Sequence, residues 1–163
     1  MKRIVSFLLA ALMLLTLTAC GGEEPEVVTA PPTEPTPVQL QIPFDAMLEK
    51  MPTMIRLDET MMLNFCGIDA QDCVQAHVAT CADGLRTDEV WLLEAVDEAA
   101  LERLKTMAET RLRMKGEESI SYSPEQYAVV EKAELVCTGN FVVLLVSPDS
   151  AKMAENFRRY AGI

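Results

Sequence analysis

The sequence has little of what most catalytic and metal-binding sites require. His77 is the only histidine, and the chain has one tryptophan and three tyrosines. Its 14 lysines and arginines face 25 aspartates and glutamates, which leaves a formal charge of −11. The phosphates of nucleic acids repel an acidic protein of this kind. We therefore expect no nucleic-acid partner, and the single histidine excludes a metal site built from several imidazoles.

Sequence motifs with a known chemistry are missing as well. The chain contains no phosphate-binding loop, dinucleotide-binding glycine motif, nucleophile elbow or zinc-protease motif, and no C-x-x-C pair. Cys73, His77 and Cys81 share one side of a predicted strand. Successive members of this trio lie about 13 Å apart, which is too far for a shared metal ion or an activated nucleophile. We predict no catalytic residue, no metal and no cofactor, and therefore no enzyme activity.

What is present begins with an export signal over residues 1–19. Lys2 and Arg3 precede an apolar run over residues 4–17, and Leu17-Thr18-Ala19-Cys20 follows. The run is too short to cross a hydrocarbon core of about 30 Å, so it is typical of a signal peptide. The four residues resemble the lipobox of bacterial lipoproteins, although an ordinary signal with a chance cysteine is the alternative. We predict a diacyl lipid on Cys20, which would hold the protein on the extracytoplasmic face of the membrane.

Residues 20–42 carry the predicted lipid and read as a tether. This stretch has no aromatic residue and contains Pro25, Pro31, Pro32, Pro35 and Pro37. Such a composition favours an extended polyproline II spacer, although a binding role for the proline-rich run is the alternative. Residues 43–163 remain for one domain with its own core. The N-terminus therefore predicts a globular domain held away from the membrane.

The domain has four cysteines, at positions 66, 73, 81 and 137. An exported protein can form disulfides, and a Cys73–Cys81 bridge is one interpretation. The other interpretation is that the four are small buried apolar residues, which is the commoner use of unpaired cysteine. The sequence leaves both open.

Hydrophobic periodicity predicts an α+β domain. Predicted helices cover residues 45–51, 58–66, 97–115, 124–132 and a final segment reaching residue 160, and predicted strands cover 73–81, 90–96, 134–138 and 141–147. Gly139-Asn140 predicts a two-residue hairpin between the last two strands. Placing the two most apolar strands side by side gives a four-stranded antiparallel sheet of order 1-2-4-3 with a split β-α-β unit. We predict two layers, with all helices on one face of the sheet.

Four segments in this order resemble a known family. They are Asp88-Glu89-Val90-Trp91-Leu92-Leu93, the long helix ending near Arg111, Tyr122-Ser123-Pro124-Glu125-Gln126, and Gly139-Asn140-Phe141-Val142-Val143-Leu144. Together they are similar to small lipoproteins of Gram-positive anaerobes that are classed as a domain of unknown function. The likeness extends from about residue 44 to residue 160. It implies export and implies no activity, because the family has none assigned.

Four residues are candidates for a binding site. Asp88 and Glu89 form a carboxylate pair at the start of a central strand. The alternative is that they do not act together, because adjacent side chains of a strand point to opposite faces. Tyr122 and Tyr127 bracket a proline-containing loop and could form an aromatic lip for a ligand, or could simply pack that loop on the core.

These observations lead to three hypotheses of function. The first is a non-enzymatic interaction module that binds an envelope protein or a second copy of itself, because helices on one face would leave the other apolar face exposed. The second is a lipoprotein that binds or senses a small ligand in a small pocket. The third is a hydrolase that uses carboxylates such as Asp88 and Glu89.

Overall fold

The computed structural model describes residues 37–163. The predicted signal peptide, Cys20 and the tether up to residue 36 lie outside the described residues. Within the described part, Leu40 is fully buried and the first helix begins at Gln41. The folded domain therefore includes residues at the end of the predicted tether.

One antiparallel sheet forms the centre of the domain. Its strands are β1 (Met54–Arg56), β2 (Cys73–Cys81), β3 (Glu89–Ala95), β4 (Glu134–Thr138) and β5 (Phe141–Val146), in the order β1-β2-β3-β5-β4. The four predicted strands pair in the predicted order, with β3 and β5 in the middle. The predicted number of strands was wrong, because β1 adds a fifth strand on the edge of β2. Three residues are too few to show the alternation that identifies a strand.

Five helices surround the sheet. They are α1 (Gln41–Leu48), α2 (Glu59–Met61), α3 (Glu98–Tyr122), α4 (Pro124–Val130) and α5 (Ser150–Ala161). Asp97 caps α3 by accepting a hydrogen bond from Ala100 N, and Ser123 caps α4 by accepting one from Gln126 N. The predicted end of α3 at residue 115, just before Gly116, was wrong, since α3 continues to Tyr122. A mid-helix glycine costs only about 1 kcal/mol, and the next turn of α3 buries Ser119.

Helices cover both faces of the sheet, so the predicted two-layer arrangement was wrong. On one face, α3 and α4 pack on Trp91, Leu93, Val142 and Leu144, together with the other buried residues of that side. On the opposite face, α1 and α5 pack on Val90, Leu92, Val143 and Leu145. We call these the α3 face and the α1/α5 face. Because β5 is buried at all six positions, the sheet has no bare apolar face to offer a partner.

The middle of the sheet holds the core. Trp91, Leu92 and Leu93 have no exposed surface, and full burial of such side chains stabilises a fold by about 1.5–3 kcal/mol each. Thr138 pairs with Phe141, so Gly139-Asn140 forms the predicted two-residue hairpin, with Gly139 at a φ of 56°. In the described part of the chain, no helix is both long and apolar enough to cross a membrane.

Candidate functional site

Asp88 and Glu89, the carboxylate pair predicted from the sequence, stand where β3 begins, and both side chains are fully buried. Their partners differ. Glu89 contacts side chains of α3, whereas Asp88 is bonded to Arg86, two residues away in the chain. The structure therefore places the two carboxylates in separate environments and does not combine them into one site.

Three side chains, those of Trp91, Arg111 and Lys115, hold the Glu89 carboxylate. Its Oε1 accepts hydrogen bonds from Trp91 Nε1 at 2.7 Å and Arg111 Nε at 2.9 Å. Its Oε2 accepts from Arg111 Nη2 and pairs with Lys115 Nζ, each at 2.8 Å. Lys115 is also buried and donates to the backbone oxygen of Thr87. Both oxygens of Glu89 are thus occupied, which leaves no lone pair directed at a substrate.

The charge state of Glu89 follows from this cluster. Burial raises the pKa of Glu89, but the hydrogen bonds from Arg111 and the charge of Lys115 lower it by more, so it lies below its ordinary value of 4.5. The same carboxylate raises the pKa of Arg111. The cluster is therefore a buried, ionised network whose evident role is to fix α3 on β3.

The carboxylate of Asp88 has fewer hydrogen-bond partners than that of Glu89. Its Oδ2 accepts a hydrogen bond from Arg86 Nε at 2.9 Å, while its buried Oδ1 has no hydrogen-bond partner among the described residues. Its backbone oxygen accepts from Cys81 N. The side chain is closed off from solvent, so a ligand could reach it only if the surrounding residues moved.

Tyr122 and Tyr127 lie on either side of the α3–α4 corner. Tyr122, the last residue of α3, is exposed, and Tyr127 is half-buried in α4. The corner packs against the start of β3, because Gln126 Oε1 accepts a hydrogen bond from Thr87 N at 2.9 Å. The structure thus brings the tyrosine segment near the carboxylate segment, but no hydrogen bond joins either tyrosine to Asp88 or Glu89.

His77 and the four cysteines show no sign of reactivity. His77 is half-buried against Phe44, and burial lowers the pKa of its imidazole. Cys66, Cys73, Cys81 and Cys137 are all unpaired. Burial raises the pKa of the Cys66 and Cys73 thiols to about 11, so they are not thiolates at neutral pH. The described residues contain no group of three or more side chains able to hold a metal ion.

An exposed apolar surface lies beside the buried cluster. After α2, a π-helical segment, Met62–Cys66, places Leu63 and Phe65 in solvent, with 53% and 64% of their surfaces exposed. Phe65 borders a cavity of about 310 Å³ together with Met107, Arg111 and Met114 of α3. We call these five residues the Phe65 surface. Their exposure makes this surface, and not the buried carboxylates, the part of this region that another molecule can reach.

The segment that carries Phe65 is anchored at both ends. Met62 and Ile68 are buried, and Asp58 caps α2 by accepting a hydrogen bond from Met61 N at 2.8 Å. Gly67, at a φ of 75°, ends the π-helical segment, and the Ile68 N–H donates to the Met62 oxygen across it. These anchors hold Phe65 outward in a defined position. Single π-turns are uncommon and occur frequently at functional sites.

The sequence predictions missed Arg111, Lys115 and Phe65 as site residues. One signal for the cations was present, because Lys115 continues the apolar stripe of α3 beyond Leu104 and Ala108 at helical spacing. A lysine on the buried side of a helix needs a buried acidic partner. Glu89, in an almost wholly apolar strand, was the available candidate. Nothing in the sequence distinguished Phe65 from an ordinary core residue, and its exposure is seen only in the structure.

Comparison with known proteins gives one result that bears on identity. No curated protein and no solved structure matches the chain. A family model described as a domain of unknown function (DUF4358) matches residues 47–147. The match covers more than half of the 163 residues and includes the Glu89 cluster and the Phe65 surface. The chain therefore belongs to this family, a domain of unknown function.

Proposed function

We propose that the protein is a lipid-anchored extracytoplasmic lipoprotein whose domain is a non-enzymatic protein-interaction module. The anchor rests on the sequence alone, from the charged start and short apolar run to Cys20. The interaction role no longer rests on a bare sheet face, because helices cover both faces. It rests instead on the Phe65 surface, and the outward position of Phe65 is the observation that carries it.

Three properties of the Phe65 surface support binding of a protein. It combines an aromatic side chain, two methionines and an arginine, residue types that are enriched in interfaces. Its apolar side chains border a cavity that a partner side chain can enter. The buried anchors Met62 and Ile68 order the segment before binding, which lowers the entropic cost of association.

Arg111 gives the surface a fixed polar group. Its Nε and Nη2 are bound to Glu89, while Nη1 has no hydrogen-bond partner among the described residues. Glu89 therefore acts as a positioning residue that holds the guanidinium at the edge of the cavity. The expected partner is an envelope protein that inserts an apolar side chain beside Phe65 and offers an oxygen acceptor to Arg111. Self-association is the second form of the same proposal.

Chemical crosslinking in intact cells tests the interaction. We expect the wild-type chain to give a reproducible crosslinked partner that mass spectrometry identifies. Phe65→Glu should abolish this product, because a carboxylate on the exposed ring position opposes an apolar contact without disturbing the core. Leu85→Glu is the matched control, since Leu85 is 74% exposed in a turn and does not border the Phe65 cavity. A partner that survives Phe65→Glu would contradict the proposal.

The anchor has a separate test. Cys20→Ala removes the thiol that would carry the lipid, so the protein should move from the membrane fraction to the medium or the soluble envelope fraction. Incorporation of a labelled fatty acid should be lost with it. Retention in the membrane together with the label would show that the lipid is attached elsewhere.

The two alternative functions, a carboxylate hydrolase and a small-ligand binding protein, differ in how well the structure supports them. A carboxylate hydrolase gains none from the geometry, since Asp88 and Glu89 are both buried and Glu89 is fully paired. A small-ligand role is favoured by one specific observation, which is a groove between α1 and α5.

A further inference from the structure

The groove between α1 and α5 has a polar end and an apolar end. The two helices run antiparallel, because Tyr160 Oη near the end of α5 donates a 3.0 Å hydrogen bond to Gln39 O just before α1. Lys50 follows the end of α1, and Lys152 lies in the first turn of α5. Both lysines border the groove, so they meet at the same end of it.

The floor of the groove is apolar. Met47, Met153 and Phe157 are buried beneath it, and Ile42 and Tyr160 border the end away from the lysines. The cavity has a volume of about 350 Å³, near the lower limit for sites that hold small molecules. Methionine side chains adapt to ligands of variable shape. The size favours one acyl chain over the two chains of a bilayer lipid.

Neither Lys50 nor Lys152 forms a salt bridge within the described part of the chain. The described residues contain 12 lysines and arginines against 21 aspartates and glutamates. Eight of the 12 form salt bridges with carboxylates. The other four are Lys50, Lys132, Lys152 and Arg158, and two of these border the groove. Asp149 is the one carboxylate among the residues that border the groove, so the lining itself has a formal charge of +1 within an acidic domain.

We propose that this groove binds a single-chain amphiphilic anion, with its acyl chain on Met47, Met153 and Phe157 and its carboxylate near Lys50 and Lys152. Burial of the chain supplies the binding free energy, at about 0.8 kcal/mol per buried CH₂ group. The lysines set the orientation and select an anion over a cation. The site lies on the α1/α5 face, opposite the Phe65 surface, so it stands independently of the interaction proposal.

Nuclear magnetic resonance of labelled methionine methyl groups tests the site directly. The full chain carrying Cys20→Ala is titrated with sodium dodecanoate below its micellisation concentration. We expect the methyl signals of Met47, Met51 and Met153 to shift with saturation. The signals of Met107 and Met114, on the other side of the sheet, should not move. This readout separates groove binding from non-specific association with the apolar run near the N-terminus.

Charge variants test the orientation. Lys50→Ala with Lys152→Ala should weaken dodecanoate binding about tenfold, whereas Asp149→Asn should strengthen it about threefold. Lys132→Ala with Arg158→Ala is the matched control, because it removes two equally unpaired cations outside the groove and should change nothing. Dodecyltrimethylammonium, with the same chain and a cationic head, should bind less tightly than dodecanoate.

Several results would overturn the proposal. Absence of shifts at Met47 and Met153, equal affinity for the anionic and cationic probes, or equal effects of the two lysine–arginine pairs would each do so. Shifts caused by phosphatidylglycerol vesicles and not by dodecanoate would identify a bilayer lipid as the occupant. A dimer seen by light scattering and lost in Ala46→Phe, a variant that narrows the groove, would identify a second copy of the chain.

Discussion

The two faces of the sheet are both covered by helices, but they are covered in different ways. On the α3 face, a helix of 25 residues packs on Trp91 and brings Arg111 and Lys115 to Glu89. On the α1/α5 face, helices of 8 and 12 residues leave a groove between them. The buried charges of Glu89, Arg111 and Lys115 stabilise the α3 face, which we call the closed face, while a groove remains between α1 and α5 on the other face, which we call the open face. Of the two carboxylates predicted from the sequence, Glu89 belongs to the closed face.

The largest expected effect comes from breaking the closed face at its charged centre. Glu89→Ala should lower the free energy of unfolding by about 3–5 kcal/mol, because it leaves Arg111 and Lys115 partly buried without a counter-charge. Urea unfolding followed by the fluorescence of Trp91 measures it. Glu155→Ala is the control, since the exposed Arg159–Glu155 pair should contribute almost nothing. Equal losses in the two variants would contradict a structural role for the cluster.

Acid should lower the free energy of unfolding by protonating Glu89. The pKa of Glu89 is lower in the folded state than its ordinary value of 4.5. Its contribution is therefore complete above about pH 4.5 and is lost as the pH falls through the folded-state pKa. Glu89→Gln should be less stable at neutral pH and should lose less stability below pH 4.5. Parallel curves for the wild type and Glu89→Gln in an acid titration of unfolding would rule this out.

Truncation of a core side chain should cost more on the closed face than on the open one. Leu104→Ala, on the buried side of α3, should destabilise the domain by about 3–5 kcal/mol. Met47→Ala, beside the groove, should cost about 2 kcal/mol, because one side of Met47 already borders open space. Thermal and urea unfolding give both values. A larger loss of unfolding free energy for Met47→Ala than for Leu104→Ala would contradict the view that the closed face is the more tightly packed of the two.

A smaller effect distinguishes the starts of the two longest helices. Asp97 caps α3 by accepting a 2.7 Å hydrogen bond from Ala100 N, so Asp97→Ala should cost about 1 kcal/mol. Asp149 occupies the same position before α5 but makes no capping hydrogen bond. Asp149→Ala should therefore leave the unfolding midpoint almost unchanged. Similar losses in both variants would show that Asp149 caps α5 in solution.

The sequence was sufficient for elements whose signals are local. Asp97, Ser123 and the Gly139-Asn140 turn each determine a boundary through a hydrogen bond or a backbone angle, and the structure has all three. The order of the four long strands followed from which two were apolar on both sides. The same observation argues against the prediction that all helices lie on one face, because a strand that is apolar on both sides needs helices or other cover on both faces of the sheet.

The rest depended on tertiary packing. The sequence showed Glu89 in an apolar strand, but its partners lie 22 and 26 positions further along the chain, at Arg111 and Lys115. Gly116 signalled a helix end locally, whereas burial of Ser119 carries α3 onward. Phe65 follows the apolar pattern of a core residue, yet it lies in the π-helical segment with most of its side chain in solvent. Exposure of this kind cannot be read from periodicity.

Site-specific photocrosslinking from position 65 tests whether the Phe65 surface binds a protein partner. A photoreactive phenylalanine derivative replaces Phe65 in one strain and Leu85 in another, and both are irradiated in intact cells. We predict one dominant protein adduct from position 65 and none from position 85, and we expect that adduct to be lost when Arg111→Ala is added. No adduct from position 65, or the same adducts from both positions, would contradict a protein-interaction role for the Phe65 surface.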